Sequence, residues 1–168
     1  MEKIKVCETI SGLPVYAISI QHKKNHCLKS SQSTAFMSKN NNQKVNKSMI
    51  FMARQHPGET QGSFLAEGVI ELLMENGEID NLKRNIEFYI FPMINADGVL
   101  YGNYRTNLAG TDLNRMWRNP RKDLQPEVYY IKKYLQLINK TAPISMIIDL
   151  HGHSKSLNSF FYGNPYRK

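Results

Sequence analysis

His56 and Glu59 stand three residues apart in the stretch Ala53-Arg54-Gln55-His56-Pro57-Gly58-Glu59, just after the apolar run Met49-Ile50-Phe51-Met52. Pro57 and Gly58 break any helix there, so the two are not a helical i,i+3 pair. A tight loop must turn them at the C-terminal end of a strand, where open α/β sheets place their sites. A neutral imidazole with a carboxylate suits Zn²⁺, and a catalytic zinc takes three protein ligands and leaves one position open. A third ligand is therefore required. His151 follows a second apolar run, Ile144-Ser145-Met146-Ile147-Ile148-Asp149-Leu150, and can meet the first pair if both strands lie in one sheet. Asp149 and His151 share one face of that strand, because side chains alternate. Taken singly, each histidine reads as a hydrogen-bonded loop residue and Glu59 as support for the next helix N-terminus. The combination at two strand ends is what points to a metal. His153 and Ser154 lie nearby and read as loop residues that hold a ligand or a substrate by hydrogen bonds.

Between the ligand segments stand Gly102-Asn103-Tyr104-Arg105 and Asp112-Leu113-Asn114-Arg115-Met116-Trp117. The arginine fork matches a carboxylate bidentately and keeps its charge. Asn114 and Arg115 together suit a peptide's terminal carboxylate, and an arginine beside a metal suits a developing oxyanion. Asp112 is of a type that holds the free ring nitrogen of a ligating histidine. An isolated Asp-x-Asn-Arg is otherwise a surface ion pair, and Trp117 reads equally as core or site.

The elements that must position these groups are legible from periodicity. Leu13–Ile20, Ser48–Ala53, Ile86–Phe91 and Ile144–Leu150 are β-rich and apolar. Leu65, Val69, Leu72 and Leu73, with Phe64 and Ile70, predict a helix over Gly62–Glu75, stopped by Asn76-Gly77. Pro126 suits a first helical position, and Ile131, Tyr134, Leu135 and Ile138 predict a helix over Pro126–Lys140. Asn95-Ala96-Asp97-Gly98 reads as a turn. The alternation of strands and helices predicts an α/β fold with a mixed, partly parallel sheet and flanking helices. A polar, low-complexity loop at about 21–47, containing Lys39-Asn40-Asn41-Asn42-Gln43-Lys44, interrupts it, and His22 and His26 there read as surface histidines.

At 168 residues the chain fits one domain, 1–168. Its 41% hydrophobic and 21% charged content is ordinary for a globular protein. The net charge of +8 favours acidic partners, although a solvated basic surface explains it equally. The basic residues are scattered and match no nucleic-acid reading motif, so no nucleic-acid partner is expected. Two cysteines, Cys7 and Cys27, make no disulfide framework and read as free thiols. No apolar run approaches the ~20 residues that span a bilayer, and the N-terminus lacks the apolar core of a signal peptide. The expectation is a cytoplasmic protein without a membrane partner; no oligomeric state follows.

These segments, in this order, resemble the zinc carboxypeptidases, and within them the cytosolic carboxypeptidase branch. The resemblance rests on His56-Pro57-Gly58-Glu59, Asn95-Ala96-Asp97-Gly98, Gly102-Asn103-Tyr104-Arg105, Asp112-Leu113-Asn114-Arg115 and Asp149-Leu150-His151, and covers roughly Gly12 to Ser154. It implies a zinc carboxypeptidase-like fold, incomplete here, and one Zn²⁺ held by His56, Glu59 and His151. It makes Arg105 the catalytic oxyanion-side arginine, Asn114 and Arg115 the binders of the substrate's C-terminal carboxylate, and Asp112 the partner of His56. The implied activity is removal of C-terminal residues, notably glutamates, from acidic peptide or protein tails such as those of tubulin. Two departures stand out. The family usually has proline where Ala96 stands. Its general base is a glutamate well downstream of the third ligand, and no Asp or Glu follows His151 here. The resemblance thus implies metal and anion sites without the base, and little peptidase activity from these residues alone. A non-catalytic zinc-dependent binder of acidic C-terminal tails is the alternative, with an amidohydrolase of N-acyl amino acids as a third reading.

Overall fold

Five strands build one sheet: β1 (Glu2–Glu8), β2 (Pro14–Ile20), β3 (Lys47–Ala53), β4 (Ile86–Phe91) and β5 (Ile144–Leu150). The computed structural model describes residues 1–21, 46–75, 77 and 79–163. The polar loop, with His22, His26 and Cys27, lies almost wholly outside the described residues. The strand order is β1-β2-β4-β3-β5. β1 pairs antiparallel with β2, and β2 with β4, whereas β3 runs parallel to both β4 and β5. The mixed, partly parallel sheet expected from the sequence is therefore what forms. Because β3 and β5 are parallel neighbours, with Met52 opposite Asp149 and Ala53 opposite Leu150, the loops carrying His56 and His151 leave the sheet side by side.

The central strands are buried on both faces, which explains their nearly unbroken apolar sequences. One face packs Ile50, Met52 and Phe91 against Val128, Ile131 and Ile138 of the long helix Pro126–Thr141. The other packs Ala53, Phe88 and Ile90 against Ala66 and Leu73 of helix Gln61–Met74. Ile50 is fully buried, so Ile50→Ala is expected to destabilise by about 2–5 kcal/mol through lost transfer energy and the cavity left behind.

Three features differ from the sequence reading. β1 was not signalled by a strong apolar run, because its charged residues alternate with Ile4 and Val6. Asn95-Ala96-Asp97-Gly98 opens a short helix, Ala96–Leu100, rather than a simple turn: the Asn95 side chain accepts from Gly98 N at 3.0 Å. Ala96 is then the first helical residue, a position where proline is favoured. Finally, helix Gln61–Met74 turns Phe64, Leu65 and Leu72 outward. It buries Gly62 and Ala66 instead, because at Gly62 the helix approaches the backbone of β5; a Cβ there would lie 2.8 Å from the Leu150 carbonyl. Among the described residues β5 pairs with β3 alone, and Met146 and Ile147 on it are about half exposed.

Candidate metal centre

The loop after β3 is shaped by contacts at each of its residues. Arg54 adopts a left-handed backbone (φ 59°), and its guanidinium donates to the Pro57 carbonyl (2.9 Å) and to Ser63 Oγ (2.7 Å). Asn95 clamps the loop from below. Its backbone N donates to the Arg54 carbonyl and its amide to the Gln55 carbonyl, both at 3.1 Å. Gly98 lies so close to Pro57 Cγ that a Cβ would overlap it. Gly58 N donates to the Tyr104 carbonyl at 2.7 Å, and a Cβ on Gly58 would lie 2.5 Å from the Tyr104 ring. The Asn95-to-Gly98 and Gly102-to-Arg105 segments thus hold the His-Glu loop and bring Arg105 to it. Asp97 anchors the arrangement to the start of the chain: its carboxylate accepts from Thr9 Oγ1 (2.5 Å), Ser11 N (3.0 Å) and Ser11 Oγ.

His56, Glu59 and His151 converge, with one ligand atom from each lying within 4.8 Å of the others. Glu59 sits between the two imidazoles. Its Oε1 lies 2.8 Å from His56 Nδ1, and its Oε2 lies 2.8 Å from His151 Nδ1. Gly152 N also donates to Oε2 at 2.9 Å. Burial alone would raise the Glu59 carboxyl; the Gly152 amide, then the two histidines, outweigh it and hold the group below its ordinary range. The far nitrogen of each imidazole meets a carboxylate as well. His56 Nε2 lies 3.0 Å from Asp112 Oδ1, and His151 Nε2 lies 2.7 Å from Asp149 Oδ2. Asp112 also accepts from Arg105 Nε at 2.8 Å. Burial opposes its ionisation, but His56 and Arg105 win, so its carboxyl too is held low. His151 is pushed up to about 8, first by its hydrogen bond to Asp149 and with help from Glu59, against the opposing effect of burial.

Two imidazoles and one carboxylate, each imidazole backed by a further carboxylate, are a donor set that fits Zn²⁺.

The remaining sequence-predicted residues fall around this centre. Arg105 is partly exposed, with Nη1 4.0 Å from Glu59 Oε1. Asn114 follows Asp112 in a 3₁₀ turn, Leu113–Arg115; its backbone N donates to Asp112 Oδ1 (2.9 Å), and its side-chain amide lies 3.1 Å from His151 Nε2. Arg115, next in the turn, is exposed. His153 is exposed, and its ring accepts from the Lys155 and Ser156 amides, so it shapes its own loop. Two residues lie directly behind the site: Gln55, which no motif singled out, and Trp117, which the sequence left open between core and site. Gln55 is 1% exposed, and Trp117 donates to its side-chain oxygen at 2.8 Å. The sequence signal for Gln55 was weak: one amide inside a polar loop.

Comparison with known proteins bears on the family and the fold. Residues 1–168 match the zinc carboxypeptidase family. The chain is 37% identical over 163 residues to cytosolic carboxypeptidase 1 of Gallus gallus, covering 94% of this chain and 12% of that protein. It is 44% identical over 122 residues to cytosolic carboxypeptidase 6 of Caenorhabditis elegans, covering 70% of this chain and 27% of that protein. Among solved structures, a metallo-carboxypeptidase from Burkholderia cenocepacia superposes with a TM-score of 0.72 at 26% identity, over 90% of this chain and 36% of that one. The chain thus spans well under half the length of these relatives. Among its described residues no helix is long and apolar enough to cross a membrane. With the fold, the ordered motifs and the paired imidazole–carboxylate geometry in agreement, the chain belongs to the zinc carboxypeptidase family.

Proposed function

We propose that these residues form the metal- and carboxylate-binding part of a cytoplasmic zinc exopeptidase that removes C-terminal glutamates from acidic protein tails. The observation that carries the reading is the convergence of His56, Glu59 and His151 with Arg105 beside them. The three would hold one zinc ion. Bound zinc supplies a Lewis acid for the scissile carbonyl and lowers the pKa of a coordinated water. Arg105 is anchored to Asp112 through Nε, which leaves the outer nitrogens of its fork to stabilise an oxyanion. Asn114 and Arg115 would bind the substrate's terminal carboxylate, which makes the reaction an exopeptidase one. The basic balance of the chain, +8, favours acidic tails such as those of tubulin.

Glu59, Asp112 and Asp149 are each committed to an imidazole. That observation favours a second reading for the 168 residues by themselves, namely zinc-dependent binding of acidic C-termini without cleavage. One experiment tests the shared core of both. A peptide ending in glutamate should bind the zinc-loaded chain well above its C-terminal amide, and Arg115→Ala should abolish the preference. Equal binding of acid and amide would overturn the reading. Incubation of the same peptide separates cleavage from binding, and hydrolysis of N-acyl amino acids in its place would favour the amidohydrolase.

A further inference from the structure

His151 Nε2 has two close neighbours that demand opposite things. Asp149 Oδ2, at 2.7 Å, only accepts; facing it keeps hydrogen on Nε2 and makes Nδ1, 2.8 Å from Glu59 Oε2, the nitrogen that would give its lone pair to a metal. The Asn114 amide nitrogen, at 3.1 Å, only donates; pairing with it would put the lone pair on Nε2 and hydrogen on Nδ1. That second tautomer is blind to a metal on the Glu59 side. Asp149 is nearer and charged, so it makes the stronger bond.

Asp149 is itself held in a definite way. Gln55 Nε2 donates to the same Oδ2 at 2.6 Å. The Gln55 amide could point either way, but Trp117 Nε1 can only donate, and it donates to Gln55 Oε1 at 2.8 Å. The indole thereby turns the amide's donor end towards Asp149. The other carboxylate oxygen, Oδ1, is buried without a hydrogen-bond partner. An arrangement that leaves a buried oxygen unsatisfied is unfavourable, yet it directs Oδ2 at both Gln55 and His151.

We infer that Trp117, Gln55 and Asp149 form a positioning chain that selects the Nε2–H tautomer of His151 and so presents Nδ1 to the metal. All three are positioning residues: Gln55 and Trp117 act through Asp149, and Asp149 acts through His151. The inference rests on the zinc-site reading above, and the test separates the two.

Zinc affinity of the 168-residue chain is measured by chelator competition, with the visible spectrum of the cobalt(II)-loaded chain as a second readout and melting of the metal-free chain as the structural control. Asp149→Asn keeps the shape but can offer a donor to Nε2. It should weaken zinc binding by roughly 10–100-fold and alter the cobalt spectrum while the metal-free chain melts as before. Gln55→Met should weaken binding several-fold, and Trp117→Phe less. Because the groups act in series, Gln55→Met added to Asp149→Asn should bring no further loss. Wild-type affinity and spectrum in Asp149→Asn would overturn the chain while leaving the zinc site intact. Losses that multiply independently in the double variant would overturn it too. Failure of the unmutated chain to bind zinc would overturn the site and this inference with it.

Discussion

Acids in two regions of this chain behave in opposite ways. At the C-terminal ends of β3 and β5, Glu59 and Asp112 face imidazoles and a guanidinium, and both are held below the ordinary carboxylate range. At the start of helix Pro126–Thr141, Glu127 is fully buried, and no hydrogen bond of ordinary geometry reaches either oxygen; only its own backbone amide and the Asn107 side chain come near enough to act on it. Burial pushes its carboxyl up to about 7, with the Asp97 charge adding to the rise and Asn107 opposing it. The difference shows what burial does to an acid with and without an imidazole or guanidinium facing it. The first group is maintained as anions ready for a cation; the second is an acid that the fold prefers neutral.

The sharpest way to break this comparison is to remove a ligand. His56→Ala, Glu59→Ala or His151→Ala should each abolish stoichiometric zinc uptake, measured by metal analysis after dialysis. Retained zinc in Glu59→Ala would show that the anionic group is not a metal site.

The Glu127 side is tested by pH. Its folded pKa is raised above the unfolded value, so the folded state holds a proton that the unfolded chain has lost between pH 4.5 and about 7. Stability from this group therefore falls as pH rises through that window, by about 3 kcal/mol in all, and stays low above it. Glu127→Gln should flatten this fall and stabilise the chain at pH 8, read by urea unfolding at pH 5 and pH 8. An unchanged slope would contradict the assignment.

Asp112→Asn sharpens the comparison within the site. It replaces the anionic acceptor behind His56 with a neutral amide and should weaken zinc binding by roughly 10–100-fold, a loss worth about 1.4–2.7 kcal/mol. The smallest expected effect on zinc binding is in the supporting loop. Gly58→Ala drives a methyl group into the Tyr104 ring. It should destabilise by about 1–3 kcal/mol through overpacking and shift Arg105. Thermal melts with peptide-carboxylate binding as a second readout would show both.

Much of this was legible in the sequence, for reasons that differ by element. Strands β2 to β5 and the two long helices carry enough apolar residues at one period to declare themselves. His56, Glu59 and His151 stand at the ends of such strands, so their meeting follows once β3 and β5 are parallel neighbours. β1 was hidden by its charged residues, and its pairing with β2 depends on an edge position that no local pattern states. The helix at Ala96 is only five residues long, and its Asn-Ala-Asp-Gly composition is that of a turn. Leu65 and Leu72 have the right spacing for a buried face; the close approach of Gly62 to Leu150, a tertiary contact, turned them outward. The Trp117–Gln55–Asp149 contacts join three distant segments and have no sequence period at all.

The most direct test of the central claim is X-ray absorption of the zinc-loaded chain. The geometry at the ends of β3 and β5 predicts one zinc with two imidazole nitrogens and one carboxylate at about 2.0–2.2 Å. A sulfur shell at about 2.3 Å, or a zinc environment without imidazole, would contradict it.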